Sequence, residues 1–341
     1  MNTKSKEQMK GISAYVGSRR DYVQGGGGNT SVKFDDRIMA IKASGYTLAE
    51  VTAEKGYVLV DYQKIKQYYN SVDVKEQKDY EKESLEINLK SVLPLEGMEQ
   101  MRPSVEVGFH SFLDKCVIHT HSVYANVLCC SSEGREIAQE IFKGSGLKYL
   151  YISYIDPGFS LTLAVRQALQ AFKIQYGSVP EVIFLENHGM IVHSDHEKAA
   201  MEMNDLVNNR IREYFNLGNF PSPEIKKTQN SYLNDSDYLK KFIIKYNAGE
   251  AYFNRLKLYP DQLVYIGNKM GDRIKINSKT GDINYFTGEK EAQAIEETLL
   301  GVAYVIDSVQ NAGLTLKQMD ENGAAFINNW ESEKYRSQLI K

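Results

Sequence analysis

The sequence predicts an α/β fold, because short apolar strands and amphipathic helices alternate along its first two thirds. Residues 116–119 form an apolar stretch that ends on a histidine, and residues 182–185 form another directly before a tight turn. Both lengths are typical of buried strands. Residues 195–215 carry an apolar stripe at helical spacing, which predicts a long helix packed on a sheet.

The remaining elements of the first part follow in order along the chain. A helix over 5–18 precedes a run of four glycines, Gly25 to Gly28, and a hairpin that turns at Asp35-Asp36-Arg37. The other predictions are a strand at 57–61, a helix after it, a charged connection near 73–83, helices at 103–113, 121–131, 135–143 and 161–176, and strands at 149–154 and 190–192.

The composition of the sequence changes after Gly218. Two prolines and a polar stretch over 226–237 are typical of a linker. Beyond it we predict a helix from about 237, a strand at 263–266, a hairpin around 279–282 and helices at about 289–311 and 320–338. The natural division is a catalytic domain over 1–222 and a smaller accessory α+β region over 223–341.

The composition and charge of the chain limit the kinds of molecule that it is expected to bind. The chain has 341 residues, a net charge of -3 and 25% charged residues, so no basic excess favours nucleic acid. No run of about 18 apolar residues suggests a membrane span, and the polar N-terminus lacks a secretory h-region. Three cysteines form no CxxC pair. We therefore expect a cytoplasmic protein that binds neither nucleic acid nor membranes.

A histidine pair ends the strand at 116–119. Residues i and i+2 of an extended chain point to one side, so His119 and His121 can converge on one ion. His188 lies at the turn after the strand at 182–185. Three imidazoles with an open fourth position are typical of catalytic zinc sites.

Five separated motifs together resemble the class II aldolase/adducin family over about residues 5–216. Its best-known enzymes are L-fuculose-phosphate and L-rhamnulose-phosphate aldolases. The motifs are Gly28-Asn29-Thr30-Ser31, Ala43-Ser44-Gly45, Pro103-Ser104-Val105-Glu106, His119-Thr120-His121-Ser122 and Glu186-Asn187-His188-Gly189.

The resemblance implies a three-layer α/β/α fold around a mainly antiparallel sheet. It implies Zn2+, or another divalent metal, held by His119, His121 and His188, with Glu106 as the catalytic carboxylate. It also implies a phosphorylated sugar as substrate and a homo-oligomer, a tetramer in the family's aldolases. The positions that match the family's phosphate site are Gly28, Asn29, Ser44, Gly45 and Ser104.

Elementary chemistry agrees with these roles. Glycine N–H groups and the side chains of Asn29, Ser44 and Ser104 can donate to an anion. Zinc can stabilise an enediolate as a Lewis acid while a neighbouring carboxylate moves the proton at carbon. The expected reaction is aldol cleavage of a phosphorylated ketose to dihydroxyacetone phosphate and an aldehyde.

Two departures from the aldolase pattern keep other reactions open. Val105 stands where the aldolases have a second serine, and no tyrosine occurs near Glu140-Ile141-Phe142, where they supply an acid. Tyr149, Tyr151 and Tyr154 are candidate substitutes. The alternatives are a zinc-dependent dehydratase, epimerase or decarboxylase, or a non-catalytic adducin-like scaffold.

The remaining histidines have simpler interpretations. His110, one turn after Glu106, is expected to be a packed structural residue. His193 and His196 flank a helix start and are expected to be exposed.

Overall fold

The computed structural model describes residues 3–95 and 101–329. The predicted terminal helix around Trp330 therefore lies partly outside the described residues. The strands are β1 (Asn29–Lys33), β2 (Ile38–Lys42), β3 (Tyr57–Asp61), β4 (Val92–Leu93), β5 (Cys116–Thr120), β6 (Tyr149–Ile152), β7 (Val182–Leu185), β8 (Gly189–Ser194), β9 (Ile225–Lys227), β10 (Tyr232–Asn234), β11 (Ile274–Asn277) and β12 (Asp282–Tyr285).

Helices fill most of the connections between these strands. They are α1 (Thr3–Gly17), α2 (Tyr62–Ser71), α3 (Tyr80–Lys90), α4 (Val107–His110), α5 (Val123–Cys129), α6 (Gly134–Phe142), α7 (Phe159–Tyr176), α8 (Glu197–Tyr214), α9 (Asp237–Tyr246), α10 (Glu250–Arg255), α11 (Pro260–Tyr265), α12 (Glu289–Asn311) and α13 (Glu321–Asn329).

The central sheet has eight strands in the order β4-β3-β2-β1-β5-β8-β7-β6. Every neighbouring pair is antiparallel except β6 and β7, which are parallel. The predicted α/β fold with a mainly antiparallel sheet is thus confirmed.

Successive side chains along the strands point to opposite faces of this sheet, and both faces are buried. On β5, Ile118 packs into a cluster with α1, α5 and α8, whereas Val117 packs with α4 and α7 on the opposite face. Both residues are fully buried. Helices on the two faces therefore produce the expected three layers.

The C-terminal part builds a second sheet of four antiparallel strands, in the order β11-β12-β10-β9, with helices around it. Its longest helix, α12, is buried along most of its length, with Leu299, Leu300 and Val302 fully enclosed. These side chains belong to the same apolar cluster as β1 and β5 of the first part. The division at residue 222 stays a prediction, since one core spans both sides of it.

Two predictions for the C-terminal part are wrong. Residues 263–266, predicted as a strand, belong largely to α11, because Pro260 is preorganised for the first helical turn and Asp261 follows it. The supposed linker over 226–237 contains β9 and β10. Its polar side chains suit a strand at the exposed edge of the small sheet.

The predicted helix at 103–113 is also shorter than expected. Only α4, a single turn, is helical there. The Ser104 N–H donates to the Lys42 carbonyl at 3.1 Å, and Pro103 forms a bridge with Ala43. This pairing holds the segment extended beside the end of β2.

In the described ranges, no helix combines the length and apolar character needed to cross a membrane.

Candidate metal centre and anion pocket

The three predicted metal ligands meet where β5 ends and β8 begins. The antiparallel register pairs Thr120 with Met190, so the turn before β8 lies beside the residue after β5. His121 and His188 occupy these two positions, and His119 precedes them inside β5. Gly189 permits this approach, because a Cβ there would lie 2.2 Å from the Thr120 carbonyl oxygen.

The three imidazoles form a buried group. One ring nitrogen of each lies within 4.8 Å of those of the others. The Nε2 atoms of His119 and His121 are 3.1 Å apart. A tetrahedral ion with bonds of about 2.0–2.1 Å separates its ligand atoms by roughly 3.3 Å, so this spacing suits one bound ion.

In two of these rings, the other nitrogen, Nδ1, donates a hydrogen bond to a nearby acceptor. His119 Nδ1 donates to the Met190 carbonyl at 3.0 Å, and His121 Nδ1 donates to the Asp261 carboxylate. Burial lowers the pKa of His119 to about 3, so its ring is neutral near pH 7. A neutral imidazole protonated at Nδ1 has only a lone pair at Nε2. The lone pair of His119 Nε2 then faces His121 Nε2, and this arrangement suits a cation bound between the two nitrogens.

Glu106 lies directly beside the histidines. Its Oε2 is 3.5 Å from His119 Nε2, and its Oε1 is 3.2 Å from His188 Nε2. Burial alone would raise the pKa of this carboxyl group, but its close approach to the rings of His119 and His188 outweighs that effect and holds the pKa well below its usual range. Glu106 is therefore an anion. Its Oε1 is buried and accepts no well-formed hydrogen bond within the described part of the chain, so it is available to an ion or a substrate proton.

Asn29 holds this carboxylate in place. β1 pairs Asn29 directly with His119. The Asn29 amide donates to Glu106 Oε2 at 2.6 Å and to Ser104 Oγ at 3.0 Å, and its carbonyl oxygen accepts from His110 Nε2. Both amide hydrogens are thus engaged, so an anion would have to displace one partner to bind Asn29.

His110 is buried and lies outside the histidine triad. Its Nδ1 lies 2.7 Å from Ser31 Oγ, and burial lowers its pKa well below the ordinary value. These contacts fit a packed structural residue. His196 is exposed, as expected, but the expected exposure of His193 is wrong. The His193 ring is buried at the end of β8 and bonds Asp114 at 2.8 Å.

The predicted phosphate-site residues line one pocket together with Glu106 and two of the predicted metal ligands, His121 and His188. That pocket is bordered by Gly28, Asn29, Ser44, Gly45, Ser104, Glu106, His121 and His188. Gly28 has a φ of +66°, and a Cβ there would lie 2.7 Å from the His119 carbonyl oxygen. Only glycine fits this approach of the loop to β5.

Part of the glycine loop is already engaged by the C-terminal part. The Gly25 N–H donates to Glu297 at 2.8 Å, and the Gly26 N–H donates to the Tyr265 hydroxyl oxygen at 3.0 Å. These two N–H groups therefore hold the accessory region and are not open to an anion.

Sequence reasoning missed Lys42 and Asp261. Lys42 is buried, borders the pocket between Ser44 and Gly26, and donates from Nζ to the Tyr46 carbonyl at 2.7 Å. Its position at the end of an apolar strand, directly before Ala43-Ser44-Gly45, was a usable signal. Asp261 had none, because it lies 140 residues from His121 in the sequence.

The metal pocket is small and opens beside a larger cavity. Its volume is about 30 Å³. A neighbouring cavity of about 550 Å³ shares Gly26 and Gly45 with it. Helix α12 forms the far wall of that cavity through Gln293, Ala294 and Glu297.

None of the three candidate tyrosines borders the metal pocket. Tyr151 donates to the Leu128 carbonyl at 3.2 Å, and Tyr154 bonds Asp156 at 3.1 Å. Tyr149 packs against Phe142.

Comparison with known proteins agrees with this geometry. The family model described as Class II Aldolase and Adducin N-terminal domain matches residues 12–215. A Bacillus subtilis (strain 168) protein called uncharacterized oxidoreductase YuxG is 27% identical over 248 residues, covering 66% of this chain and 33% of that protein. The chain thus spans about a third of the length of this relative.

Two solved structures match this chain over most of their own length. The N-terminal class II aldolase domain of a conserved Thermoplasma acidophilum protein has 24% identity and a TM-score of 0.50, and the match covers 61% of this chain and 92% of that one. YgbL from Klebsiella pneumoniae has 21% identity and a TM-score of 0.43, with coverage of 64% and 92%. The family match extends over more than half of the chain, from α1 to the end of α8, and includes every residue of the histidine triad. This protein belongs to the class II aldolase and adducin family.

Proposed function

We propose that the protein is a metal-dependent aldolase that cleaves or forms a phosphorylated ketose next to its carbonyl group. The observation that carries this proposal is the convergence of a buried histidine triad, an ionised carboxylate and several hydroxyl, amide and ammonium donors on one pocket. An adducin-like scaffold would not need this buried polar group, whose desolvation is costly without a ligand.

The metal proposed is Zn2+, or another divalent ion, held by His119, His121 and His188. The neutral His119 ring and the short distance between the Nε2 atoms of His119 and His121 suit zinc, which in catalytic sites takes three protein ligands and leaves a fourth position for substrate. When bound, such an ion supplies Lewis-acid polarisation of neighbouring carbonyl and hydroxyl oxygens.

Glu106 is proposed as the group that moves the proton at carbon. It is anionic and buried, and its Oε1 has no well-formed hydrogen bond in the described part of the chain. Asn29 fixes the other oxygen, Oε2, so that Oε1 faces the histidines. In synthesis, a carboxylate held this way can take a proton from the carbon next to the carbonyl of dihydroxyacetone phosphate. In cleavage, it can return a proton to that carbon once the carbon–carbon bond has broken.

The phosphate group is proposed to bind at Ser44, Gly45 and Ser104, with Gly28 and Asn29 at the edge of the site. Lys42 adds the positive charge that the sequence alone did not assign to this pocket. Its ammonium group offsets part of the loss of the donor where Val105 replaces a serine.

The body of the substrate is proposed to lie in the larger cavity. A volume of about 30 Å³ at the metal holds only one or two water molecules. Ligand sites typically have about 300–1,000 Å³, a range that includes the adjoining 550 Å³ cavity. The reactive carbons would then enter the metal pocket between Gly26 and Gly45.

One observation favours a sugar-phosphate dehydratase as a second candidate. Aldol cleavage needs a group that takes the hydroxyl proton from the carbon that becomes the aldehyde, and the described residues that border the metal pocket include no tyrosine for this step. Loss of water can use one group for both steps, because Glu106 can take the proton from carbon and return it to the departing hydroxyl group. The name of the Bacillus relative suggests redox chemistry, but the match covers only a third of that protein. We therefore propose no oxidoreductase activity.

Incubation of Zn2+-loaded protein with a panel of phosphorylated ketoses tests the proposal. An aldolase releases dihydroxyacetone phosphate, which a coupled reductase assay detects, whereas a dehydratase gives a product lighter by one water in mass spectrometry. Protein that holds zinc and yields neither product from any ketose phosphate would refute both candidates. A homo-oligomer, expected as a tetramer, stays a prediction that light scattering would test.

A further inference from the structure

The C-terminal part contacts the histidine triad through α11. Pro260 borders the metal pocket. Asp261, the next residue, is completely buried, and its carboxylate accepts a hydrogen bond from His121 Nδ1. A residue of the C-terminal part, outside the 12–215 family match, therefore touches a candidate metal ligand.

This contact determines which nitrogen of His121 faces the triad. Nδ1 carries the hydrogen that Asp261 accepts, and the other ring nitrogen, Nε2, faces His119 Nε2 at 3.1 Å. His119 is oriented in the same sense, but its Nδ1 partner is the neutral Met190 carbonyl. A carboxylate on the far nitrogen makes an imidazole a more basic ligand than a carbonyl does.

The glycine loop packs closely against this contact. A Cβ on Gly27 would lie 2.2 Å from Asp261 Oδ2 and 2.9 Å from His121 Nδ1, so the glycine loop closes directly over the pair. The Gly26 N–H bonds Tyr265 at the other end of α11. The loop, α11 and the histidine are therefore packed as one unit.

The turn that carries His188 is attached to the same region. The Asn187 amide donates to the carbonyl oxygens of Leu258 and Lys317, each at 2.9 Å. Asn187 adopts a φ of +50°, which these two bonds help to maintain. Two of the three triad residues thus depend on contacts from residues beyond 223.

We propose that Asp261 is a positioning residue of the metal centre and that the C-terminal part completes this centre. The inference rests only on the part of the proposed function in which the triad binds a divalent ion, and it holds for whichever reaction follows. Asp261 does not bind the ion itself. It fixes the tautomer and orientation of His121.

Zn2+ affinity, measured by competition with a chromogenic chelator on the full chain, tests this proposal. Asp261→Asn keeps the size of the side chain but removes its charge, and we expect about 10- to 100-fold weaker binding. Glu291→Gln is the matched control, since it neutralises another buried carboxylate of the C-terminal part that bonds Lys269 and Arg273 away from the pocket. It should bind Zn2+ like the wild type.

A double-mutant cycle separates positioning from general loss of structure. In a His121→Ala background, Asp261→Asn should not weaken Zn2+ binding further, because its effect acts through that ring. An equal loss in both backgrounds, or wild-type affinity in Asp261→Asn, would overturn the inference while leaving the proposed function intact. Wild-type protein that binds no Zn2+ would overturn both.

Should Asp261→Asn prove unstable, nitrogen-15 NMR of the metal-free wild type provides a second readout. His121 should be protonated at Nδ1. Protonation at Nε2 would contradict the assignment.

Discussion

Oε1 of Glu106 lies 3.2 Å from Nε2 of His188. The carboxylate therefore occupies the open side of the histidine triad, where a substrate oxygen or a fourth ligand would approach. Because Asn29 holds only Oε2, Oε1 is the atom that the proposed mechanism assigns to proton transfer at carbon. The Glu106 carboxylate and the triad should accordingly have separable roles.

Glu106→Gln should retain the metal and lose turnover. The amide has nearly the same shape but cannot accept the proton, so we expect kcat to fall by about 100-fold or more. Metal content by mass spectrometry and turnover of the best ketose phosphate provide the test, with exposed Glu136→Gln as control. Full activity in Glu106→Gln would remove the carboxylate from the mechanism.

His188→Ala should lower the bound metal. Loss of one of three ligands leaves two imidazoles, too few for a tight catalytic zinc site. The matched control is His193→Ala, since His193 is equally buried and bonds Asp114 away from the triad. Dialysed protein should contain about one zinc per chain in the wild type and in the control. Equal metal loss in both variants would show that the triad is not the binding site.

Lys42→Met should raise KM for phosphorylated substrates by about 10- to 100-fold without changing metal content. The lost interaction is a charge-assisted contact to phosphate, each worth about 1.5–3 kcal/mol. Lys33→Met is the control, because Lys33 also ends a strand of the central sheet and is partly buried, but lies outside the pocket. Inorganic phosphate should inhibit the wild type more strongly than Lys42→Met. Identical inhibition would place the anion elsewhere.

Ala294→Trp should block the larger cavity. Ala294 lies on α12 and borders that cavity, so an indole ring there would occupy space proposed for the substrate. We expect kcat/KM to fall by about tenfold or more while zinc content stays unchanged. Gln310→Trp, at the exposed end of the same helix, controls for the added aromatic ring. Unchanged kcat/KM in folded Ala294→Trp would exclude the cavity as a substrate site.

Glu296→Gln should stabilise the protein increasingly as pH rises. Burial raises the pKa of Glu296 to about 8 from its ordinary 4.5, although Tyr285 donates a hydrogen bond to it. The folded state therefore holds a proton that the unfolded state releases. The contribution of Glu296 to the free energy of unfolding is therefore fully present below about pH 4.5 and is lost as the pH rises through about 8.

Thermal unfolding should show this trend. The melting temperature of Glu296→Gln minus that of the wild type should increase by about 5 °C or more between about pH 5 and pH 9. Glu291→Gln should instead destabilise, because Thr287 and Lys269 hold the pKa of Glu291 below its ordinary value despite its burial. A constant difference for Glu296→Gln across this pH range would contradict the account.

Local patterns were sufficient to predict the central sheet and the histidine group. His119 and His121 share a face of a strand, and the strand-turn-strand around His188 brings it alongside them in the register. Asp261 could not be predicted, since its partner is distant in sequence and its helix begins at a proline that also suits a turn. The start of the 103–113 segment was mistaken for helix because its pairing beside the end of β2 is a tertiary contact, whereas α4 within the segment is helical.

Hydrogen exchange at carbon tests the central claim most directly, because it requires the metal group and Glu106 but no leaving aldehyde. Zn2+-loaded wild-type protein in deuterium oxide should exchange one carbon-bound hydrogen of dihydroxyacetone phosphate, followed by proton NMR. Glu106→Gln with equal zinc content should not accelerate this exchange. A zinc-loaded wild type that leaves the hydrogen in place, or an equally active Glu106→Gln, would contradict proton transfer at this site.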